Sequence, residues 1–123
     1  MILMDTSSII EFLEETETGE KIKDIMKDEI AAVSTITINE LLVTSEGKER
    51  EKIGNLLKSM HVFSFDEKSS YKSIEIEKKL RKEGKMINKL DIFIAATCLV
   101  NNLSILTADK DFKKIESLDI LAL

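Results

Sequence analysis

The 123-residue chain has no proline and no tryptophan, and only one cysteine, one histidine and one tyrosine. Each scarcity closes off a class of function. With Cys98 alone, neither an intramolecular disulfide nor a thiolate-based zinc or iron–sulfur site can form; with His61 alone, no site needing two imidazoles can. Tyr71 and the five phenylalanines are too scattered to give single-stranded bases a stacking platform. The four glycines (Gly19, Gly47, Gly54, Gly84) are dispersed, and no linker, repeat or low-complexity tract interrupts the chain. One domain over residues 1–123 is therefore expected. The longest apolar stretch, Ile92 to Val100, falls short of the roughly 20 residues that cross a bilayer. Asp5 follows the opening methionines and aliphatics at once, so no secretory leader is expected and the reading is cytoplasmic, with no membrane partner.

Excess positive charge is also missing. Lys plus Arg is 18 against 23 Asp plus Glu, a formal net charge of −5. Such a surface has no general attraction for nucleic acid, so that kind of partner must be held by a local basic patch or a metal. What is present suits a globular protein: 43% hydrophobic and 33% charged residues, in a chain long enough to bury about two-thirds of its unfolded surface.

Short apolar runs alternate with longer helical patterns. Ile2-Leu3-Met4, Ala31-Ala32-Val33, Val62-Phe63-Ser64-Phe65, Ser104-Ile105-Leu106-Thr107 and Ile120-Leu121-Ala122-Leu123 read as strands, apolar throughout as in a parallel sheet covered on both faces. Helices are expected near 7–15, 18–28, 35–46, 48–60, 67–83 and 89–101, with Gly84 at a C-cap. The alternation predicts a three-layer α/β/α sandwich around a four- to five-stranded parallel sheet.

Four acids stand out by their surroundings. Asp5 ends the first strand and Asp109 follows the fourth. Glu40 shares a helical face with Ile36 and Val43, and Asp91 with Ile87, Ile94, Ala95 and Cys98, so each interrupts an apolar stripe. An ionised carboxylate there is costly unless it is paired or bound to a cation. Helix capping is the simpler account: Asp5 and Asp109 as N-caps, Thr37-x-x-Glu40 as a capping box and Asn88-x-x-Asp91 as a looser one. Taken together the acids say more. In a parallel α/β sheet, helix starts after strands lie at one edge, the strands' carboxyl ends, where ligands bind. Four acids gathered there need a counter-charge. Without His or Cys to help, the fitting partner is a hard cation with oxygen ligands, Mg²⁺ or Mn²⁺.

These segments make the chain recognisable. Met4-Asp5-Thr6-Ser7-Ser8-Ile9-Ile10, Ser34-x₅-Glu40-Leu41, Asp91-Ile92-Phe93-Ile94-Ala95-Ala96 and Leu106-Thr107-Ala108-Asp109-x-Asp111-Phe112 resemble, in order and spacing, the PIN domain, in particular the VapC-type toxins of prokaryotic toxin–antitoxin pairs. The resemblance implies a metal-dependent endoribonuclease using one or two Mg²⁺ or Mn²⁺ ions. Asp5, Asp91 and Asp109 would hold the principal ion, and Glu40 would orient the attacking water or help hold a second. It also implies a homodimer and a cognate antitoxin, whose helical or extended segment would cross helices near 36–60. Thr6 and Thr107 carry hydroxyls able to support the acids. Asp111 has two readings, a supporting acid or a charge in the first turn of a short helix.

Six basic residues (Lys78, Lys79, Arg81, Lys82, Lys85, Lys89) against one acid, Glu83, precede Asp91. Lys85 and Lys89 are the candidates for RNA phosphate contacts, whereas Lys78 and Lys79 suit a solvated helix end. His61 reads as a surface or interface residue and Cys98 as a small core residue. Three other functions compete. A haloacid-dehalogenase-type phosphate-ester hydrolase wants an Asp two residues after the first, where Ser7 stands. A phospho-acceptor receiver has a candidate in Asp66 but lacks the chain length for its late lysine. A catalytically weak PIN-like interaction module is disfavoured by the presence of all four acids.

Overall fold

Leu3 sits in one hydrophobic cluster while its neighbours Ile2 and Met4 sit in another, and Ala32/Val33 and Ile105/Leu106 divide in the same way. This period-two division means that one sheet carries apolar side chains on both faces. The computed structural model describes residues 1–123, the side chain of Ala122 excepted. Along the chain run β1 (Ile2–Met4), α1 (Thr6–Leu13), α2 (Glu17–Met26), β2 (Ala31–Ser34), α3 (Thr35–Val43), α4 (Gly47–Lys58), β3 (His61–Phe63), α5 (Glu67–Lys82), α6 (Lys89–Val100), β4 (Ser104–Thr107), a 3₁₀ turn (Lys110–Lys114) and β5 (Ile120–Ala122).

The five strands are all parallel, in the order β3-β2-β1-β4-β5. One face is covered by Ile76 and Leu80 of α5 and by Ile92, Ala95 and Cys98 of α6, the other by Ile9, Ile22, Leu41, Ile53 and Leu57 of α1 to α4. The expected α/β/α sandwich is what forms. Helix α6 is buried almost all round, from Ile92 to Cys98 apart from Phe93. Cys98 lies wholly inside, and burial pushes its thiol up to about 12.

Two expectations need correction. The third strand begins one residue early and ends two early, and its Val62 is 51% exposed. As the edge of the sheet, β3 has neighbours on one side only, so an apolar run there is not evidence of double cover. In α3 the buried residues are Thr37 and Leu41, whereas Val43 is 70% exposed. The apolar stripe therefore runs along Thr37/Leu41, and Glu40 lies beside it, partly exposed, rather than inside it.

Gly84 occupies the position expected. It has φ +68°, its N–H donates to Arg81 O at 3.2 Å, and the next N–H, of Lys85, donates to Leu80 O at 2.8 Å. This Schellman pair stops α5 and turns the chain towards the start of α6.

Candidate active site

The strand order reverses direction at β1. From β1 the chain builds outward through β2 and β3, then returns to lay β4 against the other side of β1. The gap above the carboxyl ends of β1 and β4 is thus the crevice in which open α/β sheets bind ligands. Asp5 lies one residue beyond β1 and Asp109 two beyond β4, and Met4 pairs in register with Leu106.

Hydroxyls hold these acids. Asp5 is almost wholly buried (2% exposed) and caps α1 by accepting from Ser8 N–H at 2.9 Å. Thr107 Oγ1 donates to Asp5 Oδ2 at 2.6 Å and accepts from Asp109 N–H at 2.9 Å. Ser7 Oγ does the same between the same two loops, donating to the Asp5 carboxylate at 2.9 Å and accepting from Ala108 N–H at 3.1 Å. Thr6 Oγ1 donates to Glu40 Oε1 at 2.8 Å, tying α3 to the start of α1. Asp109 Oδ1 caps the 3₁₀ turn through Asp111 N–H at 2.9 Å.

Asp5 and Asp109 are therefore both N-caps and neighbours across the carboxyl edge of the sheet, joined through Thr107. For Glu40 the capping reading fails. Ser34 is the N-cap of α3, accepting from Ile36 N–H at 3.0 Å, which leaves Thr37 and Glu40 within the helix and no capping box between them. Asn88 caps α6 and places Asp91 in its first turn, as expected, yet no hydrogen bond within the described residues engages the Asp91 side chain.

Electrostatics draws Asp91 into the group. Burial first, then the charges of Asp109, Asp5, Glu40 and Asp111, push its pKa up to about 7. Burial also raises Asp5, against the opposing pull of Thr107, Ser8 and Ser7. None of the four acids shares an ion pair with a lysine or arginine among the described residues. Asp111 does: Lys114 Nζ lies 3.3 Å from it, the arrangement of a first-turn charge.

Uncompensated negative charge and an all-oxygen donor set fit a hard divalent cation and no softer group. The acids share an edge without closing into a cage, for among the described residues no three of His, Cys, Asp and Glu are drawn together at ligating geometry. Glu40 Oε2, Asp109 Oδ2 and both Asp91 oxygens take no hydrogen bond from the described chain, which leaves each of these acids at least one oxygen free to ligate while Glu40 Oε1 and Asp109 Oδ1 stay held.

The lysines proposed for RNA are paired at the surface. Lys85 lies 3.9 Å from Glu83, and Lys89 lies 3.6 Å from Glu77 and 6.0 Å above the Phe93 ring. Exposed pairs of this kind contribute little energy and yield readily to a phosphate. Ser7 was the residue the sequence did not reveal. Its role depends on Ala108 and Thr107, about a hundred positions away; only its place two residues after a strand-ending Asp hinted at it.

The PIN domain model matches residues 2–118. Among solved structures, FitAcB from Neisseria gonorrhoeae is similar at 25% identity and TM-score 0.83, over 98% of this chain and 96% of that one. VapBC2 from Rickettsia felis, bound to a DNA fragment from their promoter, gives 23% and 0.81 over 100% and 99%. VapBC-5 from Mycobacterium tuberculosis, a member of the VapBC family of toxin–antitoxin systems, gives 20% and 0.74 over 99% and 98%. No curated protein sequence matches the chain. With nearly its whole length matched by one family model, the chain belongs to the PIN domain family.

Proposed function

We propose that the chain is the endoribonuclease toxin of a toxin–antitoxin pair, hydrolysing RNA phosphodiester bonds with Mg²⁺ or Mn²⁺. The observation that carries this reading is the placing of Asp5, Glu40 and Asp109 close enough to Asp91 for their charges to raise its pKa, with none of the four paired with a basic side chain among the described residues. Asp5, Asp91 and Asp109 would hold the principal ion, with Glu40 beside it. A divalent ion there supplies an activated water at neutral pH and neutralises charge on the phosphate and the leaving oxygen, so no histidine base is needed. The chain's own residues fix geometry. Thr107 and Ser7 lock the Asp5 carboxylate to the β4 loop, and Thr6 holds one oxygen of Glu40 and leaves the other free. Lys85 and Lys89 face solvent before Asp91 and offer phosphate contacts.

The partners follow from the same reading. Structural relatives named as toxin–antitoxin systems support a cognate antitoxin; in this proposal it would lay a basic side chain among the acids and so compete with the cation. A homodimer is expected from the family resemblance. Light scattering at micromolar concentration tests it, and a species of only 13.9 kDa would refute it. No helix is long and apolar enough to cross a membrane.

The function itself is tested by incubating the protein with RNA and with a phosphomonoester, each with Mg²⁺, Mn²⁺ or EDTA. RNA cleavage that appears with either cation and vanishes in EDTA is expected. Hydrolysis of the phosphomonoester alone would contradict the nuclease reading, and hydrolysis of neither would favour an interaction module.

A further inference from the structure

A groove of about 450 Å³ lies between α5 and α6. It is lined by Ile74, Glu77, Lys78, Arg81, Lys89 and Phe93, among others. Three of these are cations and one is an anion, so the groove carries net positive charge in a chain whose total is −5. The cations come from both helices. Lys78 and Arg81 stand on α5, Lys89 on the first turn of α6.

Glu77 organises the two helices' charges. Arg81 Nε donates to it at 2.9 Å and Lys89 Nζ lies 3.6 Å away, and these partners hold its carboxyl below the usual range, Arg81 first. Lys78 has no acid within ion-pairing distance among the described residues. The groove is not built for base stacking. Phe65 already lies against the Phe93 ring, with centroids 4.4 Å apart, and Lys89 approaches that ring too. What the groove offers is charge and an apolar flank, which suits a phosphate backbone better than a base.

Its position relative to the acids matters. Lys89 and Phe93 stand two residues before and after Asp91, hence nearly opposite it around the helix. The first turn of α6 is thus a lip, with the acids on one side and the cations on the other. A strand whose scissile phosphate lies among the acids has to cross only that lip, about one helix diameter of 10–12 Å, to reach the groove. The geometry points to the α5–α6 groove as the track for the single-stranded RNA segment flanking the cut, with Lys78, Arg81 and Lys89 on its phosphates. This deepens, and rests on, the ribonuclease reading above. It adds Lys78 and Arg81 to the RNA contacts and ranks Lys89 above Lys85, which does not line the groove.

The test reads binding apart from cleavage. A fluorescent single-stranded RNA is titrated, in EDTA and over a salt series, against the parent, Lys78→Gln, Arg81→Gln, Lys89→Gln, Glu77→Gln and the distant exposed variant Lys58→Gln. Cleavage of the same RNA is measured in Mn²⁺. Each of the three groove cation variants is expected to weaken binding several-fold and to flatten the salt slope by about 0.7, the value for one phosphate on a single strand. Lys58→Gln should match the parent. Glu77→Gln, which removes the groove's anion, should bind more tightly, a gain that loss of structure would not produce. A parent that cleaves RNA while every groove variant binds as it does would overturn the groove and leave the nuclease reading intact. Binding that falls as expected without any cleavage would support the groove and overturn the nuclease reading. Groove variants that alter self-association but not RNA binding would assign the surface to protein contact and overturn the proposal.

Discussion

The Thr107 hydroxyl donates a 2.6 Å hydrogen bond to the buried Asp5 carboxylate and joins the ends of β1 and β4 across 102 residues of sequence. The same oxygen accepts from Asp109 N–H at 2.9 Å, so one side chain sets the spacing of two of the four acids. Replacing Thr107 with Val keeps the shape and removes both bonds. Loss of a partner for a buried charged acceptor typically costs about 1–3 kcal/mol, which urea unfolding should register. Cleavage should fall as well, because Asp5 and Asp109 are then free to drift apart. Thr107→Ser restores the hydroxyl and is expected to recover most of both. Equal stability of the Val variant and the parent would show that the bond contributes nothing.

The pH dependence of stability follows from Asp91. Its pKa, pushed up to about 7, exceeds the roughly 3.9 of an unfolded aspartate. A raised folded-state pKa favours the native state fully below the unfolded value, and the benefit is lost as pH rises through the folded one. Asp5, raised by burial, acts in the same direction. In EDTA the melting temperature should therefore decline from about pH 4 to about pH 7, between the unfolded and folded pKa of Asp91. Asp91→Asn should flatten that decline and melt at or above the parent at the upper end. A parent curve that rises over this interval and is insensitive to the substitution would refute the assignment.

Divalent cations should reverse the ranking. A ligand stabilises in proportion to its binding of the native state, so Mn²⁺ is expected to raise the melting temperature of the parent more than that of Asp91→Asn. Equal shifts would place the ion elsewhere.

Much of the fold is legible in the sequence. The strands at Ile2, Ala31 and Ser104 carry consecutive apolar residues because both faces of the sheet are covered, and the helices between them fell within a few residues of expectation. The edge misled. At Val62 the same apolar signal comes from a strand with one open side, and sequence does not say which strand is outermost. Glu40 was found as an acid of interest, but its stripe was misplaced because Ser34, not Thr37, starts the helix. Capping residues lie close together there, and only the backbone shows which one is used. Ser7 and Thr107 act across about a hundred residues, a relationship that local patterns do not encode.

Gly84 makes a test confined to the fold. Its φ of +68° is a conformation that side chains with a Cβ resist, though nothing crowds the place where that Cβ would go. Gly84→Ala should cost about 1 kcal/mol through the backbone alone. Circular dichroism melting checks it, and an unchanged midpoint would mean that the turn into α6 relaxes freely.

The central claim is that Asp5 acts as a ligand-bearing acid and not only as a cap. Asn caps a helix about as well as Asp, so Asp5→Asn preserves the bond to Ser8 N–H while removing the charge. The direct measurement is the rate of RNA cleavage in Mn²⁺ by the parent and by Asp5→Asn, with folding of both confirmed by their melting curves. A folded variant whose cleavage is lower by orders of magnitude is the predicted result. A folded variant that cleaves at the parent's rate would contradict the account.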